Sequence, residues 1–384
     1  MLHELDPMGG GPDVLRDEYI DQIFREAAGS LDLTPTQHAE VVKSYTSVGE
    51  WLDAPDSPLR AYRPLVYVQG SGAIGTLTKP LGRDDFDIDG TCVITVPDSV
   101  TPAELKWMIG ARLRDHEVYR AILEEKSRCW RLNYARAFHL DIIPAKPKLP
   151  HTDLTAIYIT DKELRLWKES DPKAYIAWFN LRKAVARVAF TGRGAQANVK
   201  PAPQQEAPAE KGPLPIVIQL MKRHRDVTFQ GRDDAPISII ITTLAAHAYQ
   251  QERSIIGTMR SVLERMPAFI DYSLGYANVA NPTIKAENFA DKWQKHPDRE
   301  DAFYEWNEKA KGDLDRLSGA KGTAQVRAAL IPFLGEKRVD IVLNRMAEKT
   351  NTKRSSGLKI DTKTGLVGVS SGIVVPRANF YGNE

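Results

Sequence analysis

Cysteine is nearly absent: the 384 residues hold two, Cys92 and Cys129. Two cysteines cannot build a zinc ribbon or a disulfide scaffold, so both are expected as buried, reduced thiols. Charge of one sign is lacking as well. The formal net charge is +2, which leaves no global basic footprint of a dedicated nucleic-acid binder, so any basic site must be local. No apolar run approaches a membrane span, and the first residues, Met1-Leu2-His3-Glu4-Leu5-Asp6, lack a basic n-region and an apolar h-region. The expectation is a cytoplasmic protein with no membrane partner. Hydrophobic residues make up 42% and charged residues 27%, an ordinary globular composition. A chain of this length predicts two lobes, since single cores seldom grow beyond about 250–300 residues.

Asp13 is placed to cap a helix through about Ala28, with Val14, Leu15, Tyr19, Ile20, Ile23 and Phe24 as its apolar stripe. Thr34-Pro35 opens a second helix to about Leu52. Leu65 to Val68 and Ile88 to Val96 read as strands, the second stopped by Pro97. Thr101 and Glu104 are spaced for a capping box on a helix reaching about His116. Arg128 to Tyr134 and Phe138 to Ile143 form a predicted hairpin that Pro144 ends. Beyond Pro150 the pattern turns helical, over about Asp171 to Val188, Leu214 to Arg225, Ser238 to Gln250 and on through about Ala347. A Pro/Ala/Gln/Glu-rich insertion at 191–213 and a Ser/Gly/Lys-rich tail from Lys353 read as loops. The expected fold class is α+β: a lobe with a mixed sheet and N-terminal helices over 1–150, and a mostly helical lobe over 151–384.

The chemistry concentrates between Gln69 and Asp89. Gly70-Ser71-Gly72-Ala73-Ile74-Gly75-Thr76 gives a tight bend after a strand, with a hydroxyl and backbone N–H groups suited to a phosphate. It lacks the Gly-Lys-Ser/Thr of a Walker A loop. Asp84-Asp85-Phe86-Asp87-Ile88-Asp89 follows, and side chains alternate along a strand, so Asp87 and Asp89 share one face while Phe86 and Ile88 face a core. Asp85 has the same parity, but it follows Gly82-Arg83 and reads as turn; Asp87/Asp89 is therefore the preferred pair. Asp141, inside the apolar run Leu140 to Ile143, is costly unless paired or metal-bound. Three clustered carboxylates repel one another and should raise at least one pKa. Mg²⁺ relieves that conflict, and two such ions about 3.5–4 Å apart can serve an in-line phosphoryl displacement. The combination points to an enzyme that moves a nucleotidyl group.

Gly70-Ser71, Asp87-Ile88-Asp89 and Asp141 resemble the catalytic pattern of the polymerase β-like nucleotidyltransferase superfamily. The extended runs Gln69 to Thr76 and Asp85 to Thr91 resemble its bacterial cGAS/DncV-like branch, the CD-NTases. Leu220 to Arg225, followed by Pro236 to Ile240, is similar to the second-lobe region whose Lys and Ser hold the nucleotide triphosphate, which matches Lys222 and Ser238. From the residues alone, Lys222 also reads as a charge on a solvated helix face, and Ser238 as a helix N-cap. The resemblance implies two Mg²⁺ ions (Mn²⁺ as substitute) on Asp87, Asp89 and Asp141. It further implies NTP substrates, ATP or GTP, bound by Gln69, Gly70, Ser71, Lys222 and Ser238. The implied product is a cyclic di- or trinucleotide acting on a separate effector in anti-phage CBASS defence, with possible regulatory partner proteins. Zinc-mediated DNA sensing, as in the animal sensor, is not expected with two cysteines. The alternatives are a template-independent transferase acting on RNA, protein or a small molecule, and a non-catalytic nucleotide sensor.

Overall fold

The computed structural model describes residues 12–82, 85–134, 138–149, 155–160, 163–184 and 211–355, plus three short strands at 359–360, 367–368 and 373–374. Helices α1 (Pro12–Leu31) and α2 (Pro35–Leu52) open the chain. Thr34 and Gln37 close a reciprocal capping box at the start of α2, so its first orphan N–H groups are satisfied locally. A mixed sheet follows: β1 (Leu65–Val68), β2 (Phe86–Val93), β3 (Leu123–Glu125), β4 (Trp130–Tyr134), β5 (Phe138–Pro147), β6 (Ile157–Thr160) and β7 (Trp167–Ser170). Its spatial order is β1-β2-β5-β4-β3, and β6 pairs with both β5 and β7. Only β2 and β5 run parallel among these pairs.

Alternation along the strands separates core from site. Phe86, Ile88, Leu140, Ile142, Trp130 and Leu132 are buried in one cluster with Val48 and Leu52 of α2. The same cluster includes Ile109 and Leu113 of α4 (Pro102–Asp115), whose N-terminus carries the expected Thr101/Glu104 box. Asp87, Asp89 and Asp141 hold the opposite parity. Helix α4 comes close to the sheet at Gly110: a Cβ there would stand 2.1 Å from Trp130 Cζ2. The Trp130 indole is fixed by donating from Nε1 to Lys106 O at 2.8 Å.

Two strand boundaries differ from expectation. Strand β2 starts at Phe86 and ends at Val93, two residues earlier at its start than read from sequence. Pro144 does not end β5, which continues to Pro147. The reason is register. On that side β4 pairs only as far as Ile142 and β6 begins at Ala145, so the missing N–H of Pro144 falls in the gap between two partners.

The second half is helical: α6 (Pro172–Lys183), α7 (Pro213–Thr228), α8 (Ser238–Ala248), α9 (Ile255–Arg265), α10 (Asp298–Gly319), α11 (Gly322–Leu334) and α12 (Glu336–Ser355). Helix α7 is its centre, with eleven successive residues from Leu214 to His224 buried. The predicted helix to Val188 ends at Lys183; residues 185–188, and 191–210 of the expected insertion, lie outside the described residues. Packing does not follow the division near residue 150. Helix α1 puts Ile20, Ile23, Phe24 and Ala27 into the helical core, and β6 and β7 extend the sheet past that point. A buried clasp joins the halves: Lys211 donates to both Asp32 oxygens at 2.7 and 2.8 Å. Gln219 Nε2 reaches Asp32 Oδ1 and the carbonyl of Leu77. Both cysteines are buried, and burial pushes each thiol up to about 12, where neither is a nucleophile at neutral pH.

Candidate active site

Strand β1 ends by delivering Gln69 and Gly70 against β2. The Gln69 N–H donates to Asp89 O at 2.8 Å, and its side-chain oxygen accepts from Thr91 Oγ1 at 2.7 Å. Gly70 then turns with φ +60, where an added Cβ would meet Asp89 Oδ2 at 2.8 Å. Only glycine brings the backbone this close to the carboxylate. The short helix α3 (Gly70–Ile74) follows, with Ser71 in its first turn.

These residues line a cavity of about 430 Å³. Gln69, Gly70, Ser71, Asp87 and Asp89 form its sheet side, and Lys222 and Ser238 come from α7 and α8. Residues far apart in sequence therefore line one cavity. The remaining wall, which sequence reading did not find, includes Tyr175, Phe289, Asn281 and Glu287. Tyr175 and Phe289 meet edge to face at 6.4 Å between centroids. Neither carries a motif; only the folding of the 281–289 loop over α6 brings them there.

Asp141 is aligned with Asp89 across the parallel β2/β5 pair, as the sequence implied, but it is absent from the cavity lining. Its partner is Arg131. It lies opposite Asp141 across β4/β5 and donates Nε and Nη2 to the two Asp141 oxygens at 2.7 and 2.9 Å. The same guanidinium reaches Asp87 Oδ1 at 3.2 Å. This bidentate pair with Asp141 raises the Arg131 pKa further above its ordinary value. Arg131 was legible in principle: in the hairpin closing around 135–137 it alternates with Trp130 and Leu132, so it must share the Asp141 face. Asp85 stands apart, 3.9 Å from His139 Nε2.

Asp89 carries the electrostatic strain. Burial first, then Asp141 and Asp87, push its carboxyl up to about 6. Lys222 is not on a solvated face. It is 5% exposed, and its amine donates to Thr76 O and Oγ1 at 3.2 and 3.1 Å. Burial, and secondly Arg225, push it down to about 7. Ser238 is not the N-cap of α8; Ile237 is. Its hydroxyl accepts from Arg225 Nη1 at 3.0 Å.

Among the described residues no three His, Cys, Asp or Glu side chains are already gathered as a metal cluster. The donor set nevertheless fits a hard divalent ion. Asp87 and Asp89 offer carboxylate oxygens to the cavity, and Asp89 is a crowded carboxyl that a cation would relieve. Arg131 now supplies positive charge to Asp87 and Asp141.

Comparison with known proteins places this geometry. Residues 64–144, which carry β1 through Pro144, match the family described as Cyclic GMP-AMP synthase DncV-like, nucleotidyltransferase domain. Over 368 residues the chain is 29% identical to a c-di-GMP synthase of Roseivirga ehrenbergii, spanning 94% of this chain and 93% of that protein. It is 28% identical over 306 residues to the cyclic dinucleotide synthase CdnG of Bradyrhizobium diazoefficiens, 73% of this chain and 72% of the relative. The fold is that of the solved CdnG complex with GTP, at TM-score 0.69, 23% identity and coverage of 86% and 99%. It is also that of Vibrio cholerae DncV with the linear intermediate pppA(3′,5′)pG, at TM-score 0.53, 18% identity and coverage of 85% and 87%. Fold and family together define a nucleotidyltransferase of the polymerase β-like class. Within that class the domain match and the two relatives make the chain similar to the cGAS/DncV-like nucleotidyltransferases, the CD-NTases. Among the described residues no helix is long and apolar enough to cross a membrane.

Proposed function

We propose that this enzyme joins two nucleoside triphosphates, GTP among them, into a cyclic dinucleotide, with release of pyrophosphate. The observation that carries the reading is one cavity walled by Gly70, Ser71, Asp87 and Asp89 on one side and by Lys222 and Ser238 on the other. Its volume lies within the range of about 300–1,000 Å³ usual for ligand pockets. The dinucleotide and guanine parts of the proposal draw on the two named relatives.

Lys222, Ser71 and Ser238 bind and orient the donor triphosphate. Tyr175 and Phe289 give apolar surface for a base. Asp87 and Asp89, with Asp141, would hold divalent ions, Mg²⁺ or Mn²⁺, which when bound supply charge neutralisation and acidify the attacking ribose hydroxyl. Asp141 takes part once Arg131 releases it, as ligand or as proton acceptor. Gly70 keeps Asp89 close to the triphosphate loop. Most of the rate comes from positioning and fixed charge. The product would act on a separate effector in anti-phage CBASS defence, in the cytoplasm, with regulatory partners.

The test is incubation with all four NTPs and Mg²⁺, with products identified by mass spectrometry. A cyclic dinucleotide containing guanine is expected, and Asp87→Ala/Asp89→Ala should make none. Linear oligonucleotides with terminal phosphates would instead indicate a template-independent transferase. Pyrophosphate release by the double mutant would sink the assignment of the carboxylates.

A further inference from the structure

A second cavity, of about 530 Å³, lies between the Lys79–Gly82 segment and the junction of α11 with α12. Its lining holds four cations, Lys79, Arg223, Lys337 and Arg338, against one acid, Glu336. Glu336 is turned toward Arg327, at 3.4 Å. Arg223 is only 1% exposed. Among the described residues its guanidinium makes one hydrogen bond, from Nη2 to Lys79 O at 2.5 Å, and its Nε has no partner. Burial pushes its pKa down to about 10. Asp226 offsets part of that burial through its field alone; a buried guanidinium with five donors and one carbonyl acceptor is still short of partners, and an anion is the natural complement.

Two further features agree. Helix α12, 20 residues long, begins directly after Gly335, which has no side chain to cap it. Its first residues, Glu336, Lys337 and Arg338, line the cavity, so the positive end of the helix adds to the field. The rest of the wall combines Gln230, Gly82 and Gly335 with the apolar side chains of Pro80, Leu81, Leu334 and Ile341. That surface suits a carbon skeleton better than a bare ion.

We propose that this cavity is a second, effector site that binds an organic phosphate of about mononucleotide size, with Arg223, Lys337 and the first turn of α12 gripping the phosphate. It is separate from the nucleotide cavity, with which it shares no lining residue. It is coupled to it through two short paths. Arg223 follows Lys222 along α7. The Lys79–Gly82 segment lies between Thr76, which Lys222 holds, and Asp87. A ligand that draws on Arg223 therefore pulls on both sides of the active site.

Ribose 5-phosphate is the probe, titrated calorimetrically into enzyme whose nucleotide cavity is saturated with a non-hydrolysable GTP analogue. Saturable binding is expected, weakened about tenfold or more in Lys337→Glu, the scale of losing one charged hydrogen bond. Lys337 is exposed, so this variant keeps the fold, which circular dichroism checks. Crystals soaked in tungstate should show anomalous density beside Arg223. No heat of binding, binding that the GTP analogue abolishes, or binding unchanged in Lys337→Glu would each overturn the site. Turnover should shift with ribose 5-phosphate and the shift should vanish in Lys337→Glu; binding with no such shift would overturn the effector role.

Discussion

Lys222→Met should make the protein more stable and a poorer enzyme. The amine is buried, its acceptors are the neutral Thr76 O and Oγ1, and among the described residues no carboxylate lies within ion-pair distance, Asp226 and Asp89 acting only through their fields. Burial and Arg225 bring its pKa from 10.5 to about 7. At about 1.4 kcal/mol per unit, holding the charge at this buried position costs up to roughly 4–5 kcal/mol. Methionine fills a similar volume without that cost but loses two hydrogen bonds worth about 1 kcal/mol each. A net gain of up to about 2–3 kcal/mol follows by this difference. The sign with pH is fixed by linkage. Below about pH 7 the native amine is charged and the penalty is complete. Between about 7 and 10.5 the unfolded chain alone keeps the proton, so wild-type stability rises with pH. The advantage of Lys222→Met should thus be largest near pH 6 and shrink toward about pH 10. Urea unfolding at the two ends of that range measures it. Binding should move the other way: loss of a charged contact to the triphosphate costs about 1.5–3 kcal/mol, or about 10- to 150-fold in Kd. Near pH 8, calorimetry in buffers of different ionisation enthalpy should show the wild type taking up a fraction of a proton with the nucleotide, and the variant none. A variant that is less stable at about pH 6 yet binds NTP normally would refute the reasoning, and would make Lys222 a structural strut for the Thr76 turn.

Two glycines give sharper structural tests. Gly70→Ala puts a Cβ 2.8 Å from Asp89 Oδ2 at a residue with φ +60; about 1 kcal/mol or more of stability should be lost, and kcat should fall further than the melting temperature implies, because Asp89 must move. Unchanged kcat would show that Asp89 is not held by this contact. Gly110→Ala drives a methyl to 2.1 Å from a Trp130 ring that the Lys106 carbonyl fixes; a loss of about 2 kcal/mol or more is expected from overpacking, seen in the urea midpoint, and a neutral result would mean that α4 slides freely over β4.

Local rules carried much of the reading. Strand parity put Asp87 and Asp89 on one face because a pleat alternates whatever surrounds it. The expected box at Thr101 formed because its partners lie within four residues. The buried run of Asp141 marked it as costly, and its alignment with Asp89 followed from two neighbouring apolar strands. Non-local packing decided the rest. Nothing in the N-terminal sequence says that α1 joins the helical core, since an apolar stripe specifies burial and not a partner. Pro144 reads as a strand end until the gap between β4 and β6 is known. Lys222 looks like any helix-surface lysine until α7 is enclosed on all sides and its amine is turned toward Thr76. Strand alternation put Arg131 on the Asp141 face, and the register made the two direct cross-strand partners. The sequence by itself determined the face shared by Asp87 and Asp89 and the tight turn at Gly70, because both depend on neighbours a few residues apart. Tertiary structure alone decided what completes the cavity around them, because Lys222, Ser238, Tyr175 and Phe289 come from distant segments that meet only when the chain folds.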